Sequence, residues 1–298
     1  MSIPVPVIEP EATSRGLKRL ADQMPRRGWV GLALIAVCWP LDWLLPGLRT
    51  QVFFFPLWLG YILVVDSLVF IRSGTSLWVR GRARFLGLFV VSAPVWWLFE
   101  LFNLRTDNWH YLGRDEFTDF QFGLGATIAF TTVIPAVFGT AELLSTFLKA
   151  DPRQGVARQP TPVLAAFFAL GWAMLACVLI WPRYFFPFVW TSLVCIIEPI
   201  NGAAGYRTIF SVVKERGWKP VLALGLAGPV CGVFWETWNF YSYPKWTYSV
   251  PFVGVLHVFE MPLLGYLGYI PFALELYALY NLISGLTRTV REDYVQIG

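Results

Sequence analysis

Charge is scarce in this sequence. Only 14% of its 298 residues are Asp, Glu, Lys or Arg, against roughly a quarter in an average soluble domain, which excludes a large hydrated surface. Histidine is scarcer still. His110 and His257 are the only two, and they lack the spacing of metal or haem ligands. The four cysteines, Cys38, Cys177, Cys195 and Cys231, all fall in apolar runs without a Cys-x-x-Cys, so they read as small buried hydrophobes rather than a redox or zinc centre. No lysine lies in the middle of an apolar run, which excludes a retinal-type Schiff base. There is no Walker loop, no Gly-x-Ser-x-Gly elbow and no paired Asp-rich motif for magnesium-diphosphate chemistry. No cleavable signal peptide is expected either: the first apolar run is too long and ends in LDWLLPGLR without a small-residue cleavage pattern.

What fills the space is hydrophobic. Apolar residues make up 56% of the chain and the mean hydropathy is +0.57, with 15 Trp and 12 Tyr. Such aromatics suit the belts at both membrane interfaces. A span needs about 20 apolar residues, and runs of that kind stand at about 29–46, 52–71, 85–103, 121–148, 161–181, 186–206, 220–241 and 252–286. The last is interrupted by Pro262, so its true span is expected at about 264–286. Cationic loops favour the cytoplasm. With eight spans, Arg49, Arg105, Arg114, Arg183 and Lys245 fall on one side, and the other eighteen of the 23 Lys and Arg fall on the opposite side. Both termini are therefore expected in the cytoplasm of a bacterial-type inner membrane. The net charge of +4 reflects this rim and calls for no nucleic acid. Residues 14–24, SRGLKRLADQM, either lie on an anionic surface as an amphipathic helix or form a disordered topogenic arm.

The chain also repeats itself. FELFN (Phe99 to Asn103) parallels WETWN (Trp235 to Asn239). Trp109 and Tyr111 parallel Trp246 and Tyr248, and FPLWLGYILVVD (Phe55 to Asp66) parallels FPFVWTSLVCIIE (Phe186 to Glu198). IPAVFGTAE (Ile134 to Glu142) likewise faces IPFALE (Ile270 to Glu275). The expected fold is an all-α polytopic membrane protein of about eight helices, built as two tandem four-helix repeats. The arm is 1–27, the first repeat 28–150 and the second 151–298. An even number of spans per unit keeps the two units parallel, related by an axis along the membrane normal.

Seven carboxylates in or beside these spans stand out: Asp66, Glu100, Glu142, Glu198, Glu236, Glu260 and Glu275. An ionisable group at mid-bilayer costs about 2.5–3.5 kcal/mol on the insertion scale, and the duplicated pair Asp66 and Glu198 is expected there. Asn103 and Asn239 follow Glu100 and Glu236 by three residues, on the same helical face. Few cations are at hand, and an unpaired carboxyl in an apolar setting is held as the neutral acid that general acid catalysis needs. The same carboxylates can also serve as interhelical glue, and the aromatic motifs as interfacial anchors.

Glu100, Trp109 and Tyr111 in one half, with Glu236, Trp246, Tyr248 and FEMPLLGYLGYIPFALE (Phe259 to Glu275) in the other, carry a likeness over about half the chain. On these residues the protein resembles the membrane carotenoid-cyclase domains of the heterodimeric lycopene-cyclase type and the related carotenoid hydratases. The resemblance implies acid–base chemistry on a long isoprenoid polyene. A buried carboxylic acid protonates a terminal double bond, and the cation then loses a proton or captures water, without a redox cofactor. It makes Glu236 or Glu100 the acid, oriented by Asn239 or Asn103, with Trp246 and Trp109 as cation-facing walls. The candidate catalytic set is thus Glu236, Glu100, Asn239, Asn103, Asp66 and Glu198. The candidate substrate-binding set is Trp109, Tyr111, Trp246, Tyr248, Glu260 and Glu275; no metal is expected. The ligand would be a membrane lipid or isoprenoid. Two other readings stand beside this one: a lipid or small-solute carrier proton-coupled through Asp66 and Glu198, and a structural subunit whose aromatic outer face binds a membrane-protein partner or a second copy.

Overall fold

The computed structural model describes residues 21–149, 161–287 and 294–297, so most of the expected N-terminal arm lies outside the described residues. The chain is an all-α polytopic protein. Among the described residues six segments are long and apolar enough to cross a bilayer: Thr50–Ser73, Arg82–Thr106, Asp119–Ser145, Pro162–Ile180, Lys219–Phe240 and Leu263–Thr287. A seventh arises if the pair Pro182–Trp190 and Ser192–Ala204, bent by 42°, is one broken span.

Helix α1 (Arg26–Leu44) and helix α2 (Thr50–Ser73) pack along each other. α1 corresponds to the first expected run but is not among the six, since its 19 residues include Arg26, Arg27 and Asp42. Two glycines set the spacing of this pair. A Cβ on Gly31 would lie 2.6 Å from the carbonyl oxygen of Gly60, and one on Gly60 would lie 2.8 Å from that of Gly31, the small-residue contact by which membrane helices approach closely. The short α3 (Leu77–Arg80) leads into α4 (Arg82–Thr106). Asp107, in the left-handed conformation at φ 53°, then turns the chain into strand β1 (Trp109–Leu112).

The expected run 121–148 is two helices, α5 (Asp119–Phe130) and α6 (Val133–Ser145). At the joint the hydroxyls of Thr131 and Thr132 bond back to the carbonyls of Ile128 and Ala129, and Pro135 brings no N–H to continue the ladder. After α7 (Thr161–Ile180) come α8 (Pro182–Phe185), a 3-10 turn (Phe186–Trp190) and α9 (Ser192–Ala204). The run 186–206 is thus broken near its start, where Thr191 leaves helical geometry at φ −137° and ψ −26°. Helix α10 (Ile209–Arg216) precedes α11 (Lys219–Phe240) and strand β2 (Lys245–Tyr248). The run 252–286 opens as a loop with strands β3 (His257–Val258) and β4 (Met261–Pro262) and a 3-10 turn (Leu263–Gly268), then becomes α12 (Tyr269–Thr287).

Trp58, Phe99, Phe138, Trp238 and Phe272 are fully buried in one continuous apolar core. Above it, β1 and β2 pair antiparallel, Trp109 opposite Tyr248 and Tyr111 opposite Trp246. This two-stranded ribbon joins the loop after α4 to the loop after α11. Residues 294–297 fold back on the opposite end: Tyr294 donates to the carbonyl of Leu77 at 2.6 Å, and Gln296 N–H to Glu142 at 2.6 Å.

Candidate functional site

The ribbon is held by the two asparagines. Asn103 Nδ2 donates to the carbonyl of Trp109 at 2.7 Å, while its Oδ1 accepts the N–H of Asn108 at 2.9 Å and of Trp109 at 3.2 Å. Asn239 repeats the device. Its Nδ2 reaches the carbonyl of Trp246 at 2.7 Å, and its Oδ1 takes the Trp246 N–H at 2.9 Å. The amides expected to orient the acids are therefore spent on the strands, and the acids are oriented by aromatic side chains.

Glu100 Oε1 accepts three hydrogen bonds: from Trp96 Nε1 at 2.9 Å, Trp109 Nε1 at 3.1 Å and Tyr111 OH at 2.6 Å. Glu236, fully buried, has a parallel arrangement. Its Oε1 accepts from Tyr248 OH at 2.7 Å and Tyr269 OH at 2.9 Å, and Trp246 Nε1 donates in turn to Tyr248 OH at 2.8 Å. Oε2 of Glu236 is buried with no hydrogen-bond partner, the place on the carboxyl where a proton can sit. Burial, with the adjacent carboxyl adding to it, pushes the Tyr111 and Tyr248 hydroxyls well above the ordinary tyrosine range. Both phenols therefore remain donors.

A cavity of about 530 Å³ opens on the other side of these rings, within the range of small-molecule sites. Trp96, Trp109 and Tyr111 from the Glu100 station line it, and so do Trp246, Tyr248 and Tyr269 from the Glu236 station. Neither carboxyl itself lines it. Each acid stands one layer back, and the hydroxyl or indole between them is what an occupant would meet. Lys245 also lines the cavity and is paired with Glu260 through a short ion pair.

The other expected acids lie apart. Asp66 accepts from Arg27 Nε at 2.8 Å, Ser76 Oγ at 3.0 Å and the N–H of Trp78 at 3.0 Å, which ties α2 to α1 and caps α3. Glu198 caps α10 through the N–H of Ile209 at 2.7 Å. Both were expected as mid-span polar sites, and both instead bond the short helix that follows their own. Glu142 pairs with Arg80 and holds the C-terminal residues. Glu275 caps α9 through the Leu193 N–H at 3.0 Å.

Trp96, Trp190 and Tyr269 are site residues that the sequence reading did not single out. Trp96 stands four residues before Glu100, a helical neighbour that spacing alone could have shown. Tyr269 comes 33 residues after Glu236, and only the packing of α12 on α11 brings it in. Gly228 permits that approach, since a Cβ there would lie 1.9 Å from the Tyr269 carbonyl oxygen. Among the described residues no three His, Cys, Asp or Glu side chains group so as to hold a metal ion. No family model matches the chain, and no curated protein or solved structure matches it.

Proposed function

We infer that the protein is an integral membrane enzyme that carries out acid–base chemistry on an apolar, isoprenoid-type ligand, as the resemblance to carotenoid cyclases and hydratases implies. The observation that carries this reading is the pairing of an aromatic cavity with two carboxyls set one layer behind its phenol and indole wall. Glu236 is the acid: Tyr248 or Tyr269, its hydroxyl turned from Glu236 to the ligand, gives its own proton to a terminal double bond and takes the Glu236 proton in its place, so that the double bond becomes a carbocation and Glu236 a carboxylate. That cation then gives up a neighbouring proton or takes a hydroxyl from water, with the surrounding rings stabilising it. Glu100, which accepts from Trp96, Trp109 and Tyr111 through one oxygen, is the second proton station, placed to take a proton back.

The architecture belongs to the same proposal. Two tandem four-helix units in parallel, with α1 and the bent pair counted as spans, give eight crossings and put both termini in the cytoplasm of a bacterial-type inner membrane. Matching stations at Glu100 and Glu236, matching asparagine clamps, and the antiparallel ribbon of like strands support an axis along the membrane normal. A proton-coupled carrier is less well supported, because Asp66 is ion-paired and both Asp66 and Glu198 cap helices.

The test is Glu236→Gln in cells supplied with a polyprenoid precursor pool, read by mass spectrometry of the lipids that co-purify. Loss of the modified product with an unchanged gel-filtration profile is expected. Full product formation by the variant would sink the assignment.

A further inference from the structure

At the break between the 3-10 turn and α9, three side chains each carry a buried polar atom without a partner. Thr191 is the N-cap of α9 and makes no capping bond, and its Oγ1 is buried and unpaired. Ser192, the first residue of the helix, is fully buried with Oγ unpaired. Glu275 is also fully buried. Its Oε1 accepts the N–H of Leu193, the very next residue, while its Oε2 has no partner. Buried polar atoms in proteins are nearly always satisfied by protein, water or ligand. Three orphans at one helix start, in an otherwise apolar core, mark a place for a small hydrogen-bonding guest. Thr191 lines the aromatic cavity, as do Trp190, Pro271 and Phe272 around it. Of the three, Thr191 is the one that meets the site already described, with Ser192 and Glu275 behind it.

We propose that Thr191, Ser192 and Glu275 form a hydroxyl-binding subsite at one wall of the aromatic cavity, taking an O–H group that either belongs to the ligand or is water. The inference deepens the reading of the cavity as an isoprenoid site. Its chemistry follows from the groups present: the two hydroxyls can each donate and accept, and the free oxygen of Glu275 accepts, or donates when protonated. A cation does not suit the positive end of a helix, and an anion does not suit a carboxyl, whereas a neutral O–H meets both. A hydrocarbon alone would leave all three atoms unpaired.

The experiment uses the full chain in lipid nanodiscs, with geranylgeraniol and its methyl ether as probes read by quenching of tryptophan fluorescence. The one hydrogen bond that the ether cannot donate is expected to make the alcohol bind roughly fivefold more tightly than the ether. In Thr191→Val and Ser192→Ala, chosen as near-isosteric changes with monodispersity checked first, that advantage should shrink, and the ether, whose oxygen only accepts from these hydroxyls, should lose less affinity than the alcohol. If alcohol and ether bind alike, the second arm is infrared difference spectroscopy in isotopically labelled water. A buried-water O–H band lost in Ser192→Ala then assigns the subsite to water and upholds the proposal. An alcohol preference that survives both variants undiminished, or no preference together with no such band, overturns it. Should neither probe quench at all, the isoprenoid reading of the cavity fails, and the infrared arm alone decides the subsite.

Discussion

Asn239 shows how a polar residue in an apolar helix can be structural. Its amide satisfies both the N–H and the C=O of Trp246, so Asn239→Ala leaves two main-chain groups without partners, each worth about 1–3 kcal/mol when buried. Thermal unfolding in detergent should register this as a loss of stability along with any loss of activity. Glu236→Gln should cost activity with little change in melting. Tyr243 offers a second residue-level test, outside the spanning helices. Its hydroxyl donates to Glu116, and that bond is the chief cause of its shift above the ordinary tyrosine range. A raised value in the folded protein means the bond contributes below about pH 10 and is lost as pH climbs through the raised value. Ultraviolet titration, read against Tyr243→Phe, should show Tyr243 ionising later than a free tyrosine, and Glu116→Gln should bring it back towards the ordinary range.

At the level of elements, Asp66 joins three pieces of chain at once. It neutralises Arg27 of α1, takes the hydroxyl of Ser76 and caps α3 through Trp78. Asp66→Ala strips a nearly buried carboxylate from a partly buried guanidinium, a change that costs about 3–5 kcal/mol when a buried pair is broken. Arg27→Ala should cost less, because the bonds from Ser76 and Trp78 to Asp66 remain; chemical unfolding of the two variants compares them. The helices themselves were legible from apolar runs, and 52–71, 85–103, 161–181 and 220–241 lie within a few residues of α2, α4, α7 and α11. Their breaks were not. The hinge at Thr131–Thr132 depends on hydroxyls bonding back to carbonyls, and the one at Thr191 on local backbone geometry, neither of which alters hydropathy. The strands were hidden for another reason. Trp109–Leu112 and Lys245–Tyr248 are four residues each and become strands only by pairing with one another from distant parts of the sequence. The matched Glu and Trp-x-Tyr motifs could be read directly. That Asn103 and Asn239 serve the ribbon rather than the acids could not, since helical spacing places a side chain on a face without saying which neighbour it will meet.

For the molecule as a whole, the cavity belongs to both parts of the chain. Trp96, Trp109 and Tyr111 come from the first part, and Trp190, Trp235 and Tyr269 from the second. Phe99 stacks on Trp190 at 5.4 Å, and Trp96 meets Phe272 edge-on at 5.6 Å. The ribbon adds main-chain hydrogen bonds to this seam, and each strand left alone would be an unsatisfied edge. The pairing therefore works as a built-in test of completeness. Two polypeptides divided between residues 149 and 161 and expressed together should find each other in the membrane and regain ligand binding, while either one alone should be degraded. Co-purification of the two pieces would verify this. A protein whose cavity is closed only where two strands meet can be assembled by complementation, which makes the stretch between the two parts a natural place to divide it.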